Sequence, residues 1–390
     1  MAGVLDSLSD RELGILNRIR RRGPATKAEL MQTENLTLST LSRSMRRLEE
    51  RGLLREKGVS DSSGGRRPVE YDVAPDGGFC VGVDISRTCV RLVLLDLAVR
   101  VRGRAEFSME SQIGPRECVE RVAELVGRMT QALPAGGGRI WGIGVGTVGP
   151  MDRASGRLLS PQGFPAPGWD ETLPLGEWLR ARTGLPCEVD NGANTAALAE
   201  FRFGSGRGGR SLAYIHCGVG IRSAVIRDDR IIRTMNNRED ALGHMTVDIH
   251  GAPCACGGRG CLEGYASLEA VRADYAARTG QSDDFAGILR RAGAGEAPAR
   301  GALRAAGEAL GVGVSNLVRL LGPERIILSG PLPARYPPFF EACVEAFRRQ
   351  NRPQSGPEFL RGGAFGEDAA AVGAGLLPAE TLLGRRGMRL

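Results

Sequence analysis

Two stretches of this chain hold residues whose types and spacing suit chemistry. The first is "GHMTVDIHGAPCACGGRGCLE", which contains His244, Cys254, Cys256 and Cys261. Three thiols and one imidazole form a ligand set that zinc accepts in closed tetrahedral sites. Gly257, Gly258 and Gly260 would let the backbone wrap tightly around an ion. All four positions would be filled by protein, leaving no place for a reactive water, so such a zinc is expected to be structural. His250 is a second-choice imidazole only four residues before Cys254, and a reduced, metal-free cysteine loop is the competing reading. The second stretch, "CEVDNGANTAALAE" from Cys187 to Glu200, reads as the end of a strand, a polar turn and an Ala-rich helix. Asp190 and Asn191 are good capping residues, and a helix N-terminus readily holds polar ligands. Gly192, in the middle of that turn, brings no side chain to it.

A third candidate lies near the N-terminus. Ser9 or Asp10 caps a first helix, "GPATKAELMQ" gives a break and a short second helix, and "LSTLSRSMRRLEER" gives a third from about Leu38 to Arg51. In the third helix Leu38, Leu41, Met45 and Leu48 recur at helical spacing and are expected to form the buried stripe. Ser39, Arg43, Arg46 and Arg47 stand away from it. Gly52 stops the helix, "LLREKGV" reads as a strand, and a flexible tip carrying Arg66 and Arg67 leads into a returning strand. Three helices followed by a hairpin with a basic tip make a winged helix-turn-helix. The third helix would enter the major groove and the tip arginines would reach the minor groove or backbone. A solvated helical subdomain is the alternative.

These stretches sit in a chain of 390 residues, long enough for two or three domains. Hydrophobic content of 42% and charged content of 25% are ordinary for a globular protein. No apolar run is long enough to cross a bilayer and the start lacks signal-peptide character, so a cytoplasmic location without membrane association is expected. The net charge of +7 suits a nucleic-acid partner, although residues 1–75 hold 14 basic and 11 acidic residues, an excess of only 3. Cys80, Cys89, Cys118, Cys187, Cys217 and Cys343 are scattered and read as small reduced core residues. After the turn-rich "APDGG" (Ala74 to Gly78), strands alternate with helices over some 300 residues, indicating an α/β architecture, plausibly two lobes around a cleft. The glycine-rich loops "GIGVGTVGP" and "CGVGIRSAV" suit phosphate binding and tight strand turns equally well.

Taken in order, these segments resemble the ROK family of sugar-responsive repressors and sugar kinases. The likeness is most specific at "GHMTVDIHGAPCACGGRGCLEGYAS", which is similar to the family's zinc signature, and at the winged helix, which its repressor branch carries. It extends through "GVGTVGPMD", "LLSPQGFPAPGW" and "SNLVRLLGPERIILSG". The resemblance implies an N-terminal winged helix-turn-helix over residues 1–75 and a two-lobed, actin-like (ribonuclease H-like ATPase) α/β domain over residues 80–385. Asn191, His244 and Glu263 match the family's sugar-contacting positions.

The departures bear on activity. The family's first phosphate loop usually reads Asp-x-Gly-Gly-Thr, whereas Ser86 and Arg87 follow Asp84 and Ile85 here. In the second loop Arg222, Ser223 and Ala224 fill glycine positions, and Ala241 replaces a glutamate, with Glu239 and Asp240 just before it. The aspartate that serves family kinases as general base is replaced by Gly192. Phosphoryl transfer depends on positioning and electrostatics, so losing the base and crowding both loops should abolish it. The expected protein is therefore a non-enzymatic regulator that binds a double-stranded DNA operator as a homodimer or higher homo-oligomer and responds to a sugar or sugar-phosphate effector. A sugar kinase with a fused DNA-binding domain and a regulator that answers to a protein partner are the alternatives.

Overall fold

A computed structural model describes residues 4–59, 68–110, 112–134, 136–233, 241–351 and 359–384. The chain divides into two compact units, Met1–Thr195 with Ala370–Leu390, and Ala196–Ala369.

The first unit opens with three helices, α1 (Asp10–Arg22), α2 (Lys27–Glu34) and α3 (Leu38–Glu50), and a small sheet of β1 (Ala25–Thr26), β2 (Leu54–Val59) and β3 (Val69–Val73) in the order β1-β3-β2. Helix starts are fixed locally. Ser9 and Glu12 form a reciprocal capping box on α1, Thr26 and Glu29 form another on α2, and Thr37 accepts from the Thr40 amide on α3. Leu41, Met45 and Leu48 are buried against Leu13, Leu16, Ile19 and Leu30. Leu38 departs from the predicted stripe and is 55% exposed. It is the first helical residue of α3, so its side chain projects beyond the end of the packed stripe. Arg66 and Arg67 of the wing tip lie outside the described residues.

The turn-rich segment Ala74–Gly78 contains a 3-10 turn, Pro75–Gly77, that is bonded on several sides. The Leu97 amide donates to the Pro75 carbonyl at 3.0 Å, and the Gly138 amide donates to that of Asp76 at 2.6 Å. Leu97 and Leu383 belong to the apolar core of the winged helix, with Ala98 and Trp141 packed against it.

The rest of the first unit surrounds a five-stranded sheet in the order Cys187–Asn191, Ile140–Thr147, Phe79–Ile85, Cys89–Asp96, Val101–Ser108. Its first three strands run parallel and the last two extend it as antiparallel hairpins. Helix Pro115–Gln131 packs Cys118, Val119, Val122 and Val126 into one core with Val81, Val83 and Ile143. The C-terminal helix Ala369–Leu383 lies on the same sheet at backbone distance: a Cβ on Gly144 would come 1.7 Å from the Ala374 carbonyl oxygen, and one on Gly82 1.9 Å from that of Ala371.

The second unit has its own five-stranded sheet, ordered Arg230–Ile232, Ile221–Arg227, Ser211–Cys217, Arg325–Ser329, Leu360–Gly362. Helices Leu268–Thr279, Phe285–Gly293, Ala297–Leu321 and Pro337–Gln350 supply its core with Tyr275, Ile288, Leu310, Val314, Phe339 and Phe347. Of the scattered cysteines, Cys80, Cys118, Cys187, Cys217 and Cys343 are buried and Cys89 is half-buried. Among the described residues no helix is long and apolar enough to cross a membrane.

Candidate functional site

The four predicted metal ligands converge in the second unit. One ligand atom each from His244, Cys254, Cys256 and Cys261 lie within 4.8 Å of one another. Cys256 Sγ and Cys261 Sγ are 3.6 Å apart, and Cys254 Sγ and His244 Nδ1 are 3.7 Å apart. A tetrahedral centre with metal–sulfur bonds near 2.3 Å requires sulfur atoms about 3.8 Å apart, so the donor set and its spacing fit zinc. The loop is built for this closeness. Pro253 pairs with Arg259 across it, the Cys254 amide donates to the Gly258 carbonyl at 2.8 Å, and Gly257 and Gly260 take φ of 90° and 61°. The Gly258 amide points at Cys256 Sγ from 3.4 Å and, with the other thiols, lowers that thiol's pKa; burial pushes Cys261 up to about 12. His250 is exposed, does not join the cluster, and donates its amide to Asp248.

Beside this loop the strand pair Ser211–Cys217 and Ile221–Arg227 forms a hairpin with Gly218, Val219 and Gly220 at its tip. The Glu263 and Leu262 amides donate to the carbonyls of Gly243 and Met245, the neighbours of His244, which joins the metal loop to the short helix Glu263–Ala266. Glu263 Oε2 then accepts from the Ile221 amide at 2.8 Å and from Arg222 Nη1 at 3.1 Å. Arg222 also donates to its neighbour's carbonyl, Ile221 O, at 3.1 Å. A Cβ on Gly220 would lie 2.6 Å from Glu263 Oε2 and 2.8 Å from Arg222 Nη1, so glycine there makes room for an ion pair. That pair is not legible from spacing, because the two residues stand 41 apart. His216 is held neutral: burial, reinforced by Arg222, pushes its pKa down to about 4. Ala241 is exposed, while Glu239 and Asp240 lie outside the described residues.

The turn at Gly192 is in the first unit. Strand Cys187–Asn191 runs directly into helix Gly192–Phe203. Asn191 Oδ1 accepts from the Ala193 amide at 2.9 Å, and Asp190 Oδ1 accepts from the Asn191 amide at 2.7 Å and the Asn194 side chain at 3.0 Å. Gly192 is not required by the backbone, since its φ is not in the left-handed region. A Cβ there would make ordinary contacts, 3.6 Å from Asp84 Oδ1 and 3.8 Å from the Thr147 backbone. What is missing at this position is a functional group, not space. Burial pushes the Asp84 carboxyl up to about 7, with Arg91 acting against it. In the neighbouring loop Ser86 Oγ closes the turn by accepting from the Cys89 amide, and Arg87 Nε donates to the Gln162 carbonyl at 2.9 Å. Of the predicted ligand residues, His244 and Glu263 are thus joined through backbone bonds in the second unit, and Asn191 belongs to the first.

On α3, Ser39, Arg43 and Arg46 are exposed. Arg47 is also exposed but is committed: it pairs with the buried Glu12 at 2.9 Å and donates to the Ser7 carbonyl at 3.3 Å. It therefore ties α3 to the start of α1, a role that its place in an Arg pair concealed.

Comparison with known proteins separates the N-terminal segment from the rest of the chain. A profile of the ROK family matches residues 80–380, and one of a winged helix DNA-binding domain matches residues 8–77. A xylose repressor of Bacillus spizizenii is 25% identical over 370 residues, covering 95% of this chain and 94% of that protein. Among solved structures, a ROK hexokinase from Thermus thermophilus aligns with a TM-score of 0.68 and 29% identity over 79% of this chain and all of the other. A ROK family transcriptional regulator, a homolog of the E. coli MLC protein, aligns with a TM-score of 0.78 and 23% identity over 96% of both chains.

Proposed function

Because the chain belongs to the ROK family and carries a winged helix DNA-binding domain ahead of the family domain, we propose that it is a DNA-binding transcription regulator, a repressor whose kinase-like domain senses a carbohydrate without phosphorylating it. The observation that carries this reading is a pairing within one chain: an exposed Ser39-Arg43-Arg46 face on α3, and Gly192 where a sugar kinase needs a carboxylate. The face suits direct readout, in which arginine presents two donors to guanine, while Arg47 braces the helix and Arg66 and Arg67 would reach the flanking groove.

Three features oppose catalysis. Gly192 offers no general base, Arg87 is spent on the Gln162 carbonyl, and Arg222 holds Glu263. Glu263, with Asn191 and His244, remains the family's sugar-contacting set, so a sugar that uses Glu263 has to compete with Arg222. Xylose is the first sugar to try, because the repressor relative is named for it. His244, Cys254, Cys256 and Cys261 would hold a structural zinc, which supplies no reactive water and fixes the loop beside Glu263. The reading takes a homodimer on a two-fold operator in the cytoplasm, with the sugar altering the geometry of the two α3 helices.

Selection of duplexes from a random-sequence library by the purified chain tests the proposal. Recovery of a shared, two-fold symmetric sequence is expected; recovery of no sequence above background sinks it. Phosphate transfer from ATP to any of a panel of pentoses, hexoses and amino sugars would favour a kinase instead. If no sugar or sugar phosphate shifts the unfolding temperature, the sensing domain answers to a protein partner.

A further inference from the structure

Helix α1 ends in Arg20, Arg21 and Arg22, cations placed at the negative end of the helix dipole. Two of them turn inward. Arg20 Nη2 meets Glu380 Oε1 and Arg21 Nη2 meets Glu380 Oε2, so one carboxylate is clasped by two guanidiniums. The side chains of Arg20 and Glu380 are 1% and 0% exposed. Glu380 is the sole charged residue of the C-terminal helix, "AAAVGAGLLPAETLL". Taking three charges out of water gains little net stability even when they pair well, whereas their geometry fixes one arrangement and penalises others. A small cavity lined by Arg20, Asp96, Trp141, Leu376 and Ala379 lies beside the cluster, so the joint is not sealed by apolar packing alone.

The helix that carries Glu380 is held against backbone over its first half and contains Pro378, which cannot donate a helical hydrogen bond, two residues before Glu380. It starts where the chain re-enters the first unit, at Ala370. A Cβ on Gly373 would fall 1.6 Å from the carbonyl oxygen of Thr195, the residue at which the chain leaves that unit. The helix then crosses Gly82 and Gly144 at backbone contact and ends with Leu383 inside the apolar core of the winged helix. Between Ala371 and Gly375 a displacement has little room to dissipate, because close-packed backbone shifts as a body.

We propose that the Arg20–Arg21–Glu380 cluster is a latch through which the C-terminal helix sets the orientation of the DNA-reading helices, making that helix the transmission element between the crossing points of the two units and α1. The latch acts on the regulator described above and so rests on the DNA-binding reading.

The test uses the full chain in three forms: wild type, Glu380→Gln, and Arg20→Met/Arg21→Met/Glu380→Met. The triple variant replaces the ions with apolar groups of similar volume and is expected to keep the fold even where the single change weakens it. The probe is the duplex that wild type selects from a random library. Both variants are expected to bind it at least 10-fold more weakly and to exchange the amide hydrogens of α1, α2 and α3 faster. The strands Ser211–Cys217 and Ile221–Arg227 should keep wild-type exchange, which a general loss of stability would not spare. Wild-type affinity with wild-type exchange in α1, in either folded variant, overturns the latch. Should wild type select no duplex, the DNA reading falls and exchange in α1 alone decides the latch.

Discussion

Gly192 and Asp84 form the most telling pair of single residues. A carboxylate restored at 192 would stand close to Asp84, and two like charges at such range raise each other's pKa and favour the protonated forms. Gly192→Asp is therefore expected to fold yet to show no sugar phosphorylation above background in an ADP-release assay, because Arg87 and Arg222 remain where they are. Measurable turnover by that variant would mean that the two arginines do not block the reaction. Asp84 itself yields a pH prediction. Its pKa is pushed from 3.8 to about 7, so between those values the folded state binds a proton that the unfolded chain has lost. Its contribution to stability is complete below about pH 4 and disappears as pH rises through 7. Asp84→Asn should flatten that slope and raise stability at pH 8 by roughly 1–4 kcal/mol, as read from urea unfolding at pH 4, 6 and 8.

At the scale of elements, the metal loop, the helix Glu263–Ala266 and the hairpin Ser211–Arg227 form one chain of contacts. His244 lies between Gly243 and Met245, whose carbonyls hold the Glu263 and Leu262 amides, and Glu263 holds the hairpin at Ile221 and Arg222. If the four ligands hold zinc as proposed, losing it should loosen more than the loop. Cys256→Ser, or a chelator, is expected to reduce bound zinc from about one per chain to near zero and to speed amide exchange at Ile221 and Glu263. A loop that loses its metal while those two amides keep their protection would break this chain. At the same scale Arg47 is exposed on α3, and α1 presents the buried Glu12 within its reach, so the salt bridge anchors α3 to α1.

For the whole molecule, binding to DNA should depend steeply on salt, since each phosphate neutralised by Arg releases counterions. Arg46→Ala is expected to lower the magnitude of the log–log salt slope by up to about 1, measured by fluorescence anisotropy, whereas an unchanged slope and affinity would remove Arg46 from the interface. The protein as a whole divides cleanly by the range of the interactions involved. Residue type and short spacing were enough, within the sequence, for the cap at the start of the first helix, the order of helices and hairpin in the winged helix, and the zinc-type ligand set between His244 and Cys261, while the reading of Gly192 as a lost base came from the family resemblance. The first three depend on neighbours a few to a few tens of residues apart. Only the tertiary structure decided which long side chains meet: Arg222 with Glu263, Arg47 with Glu12, and Arg20 and Arg21 with Glu380, the first of these last two from 360 residues away. An arginine reaches any of several carboxylates from a fixed backbone position, so its partner is set by how whole elements pack. That packing in turn turned a turn-rich segment at Ala74–Gly78 into a pinned joint and left Leu38 in solvent at the end of its stripe.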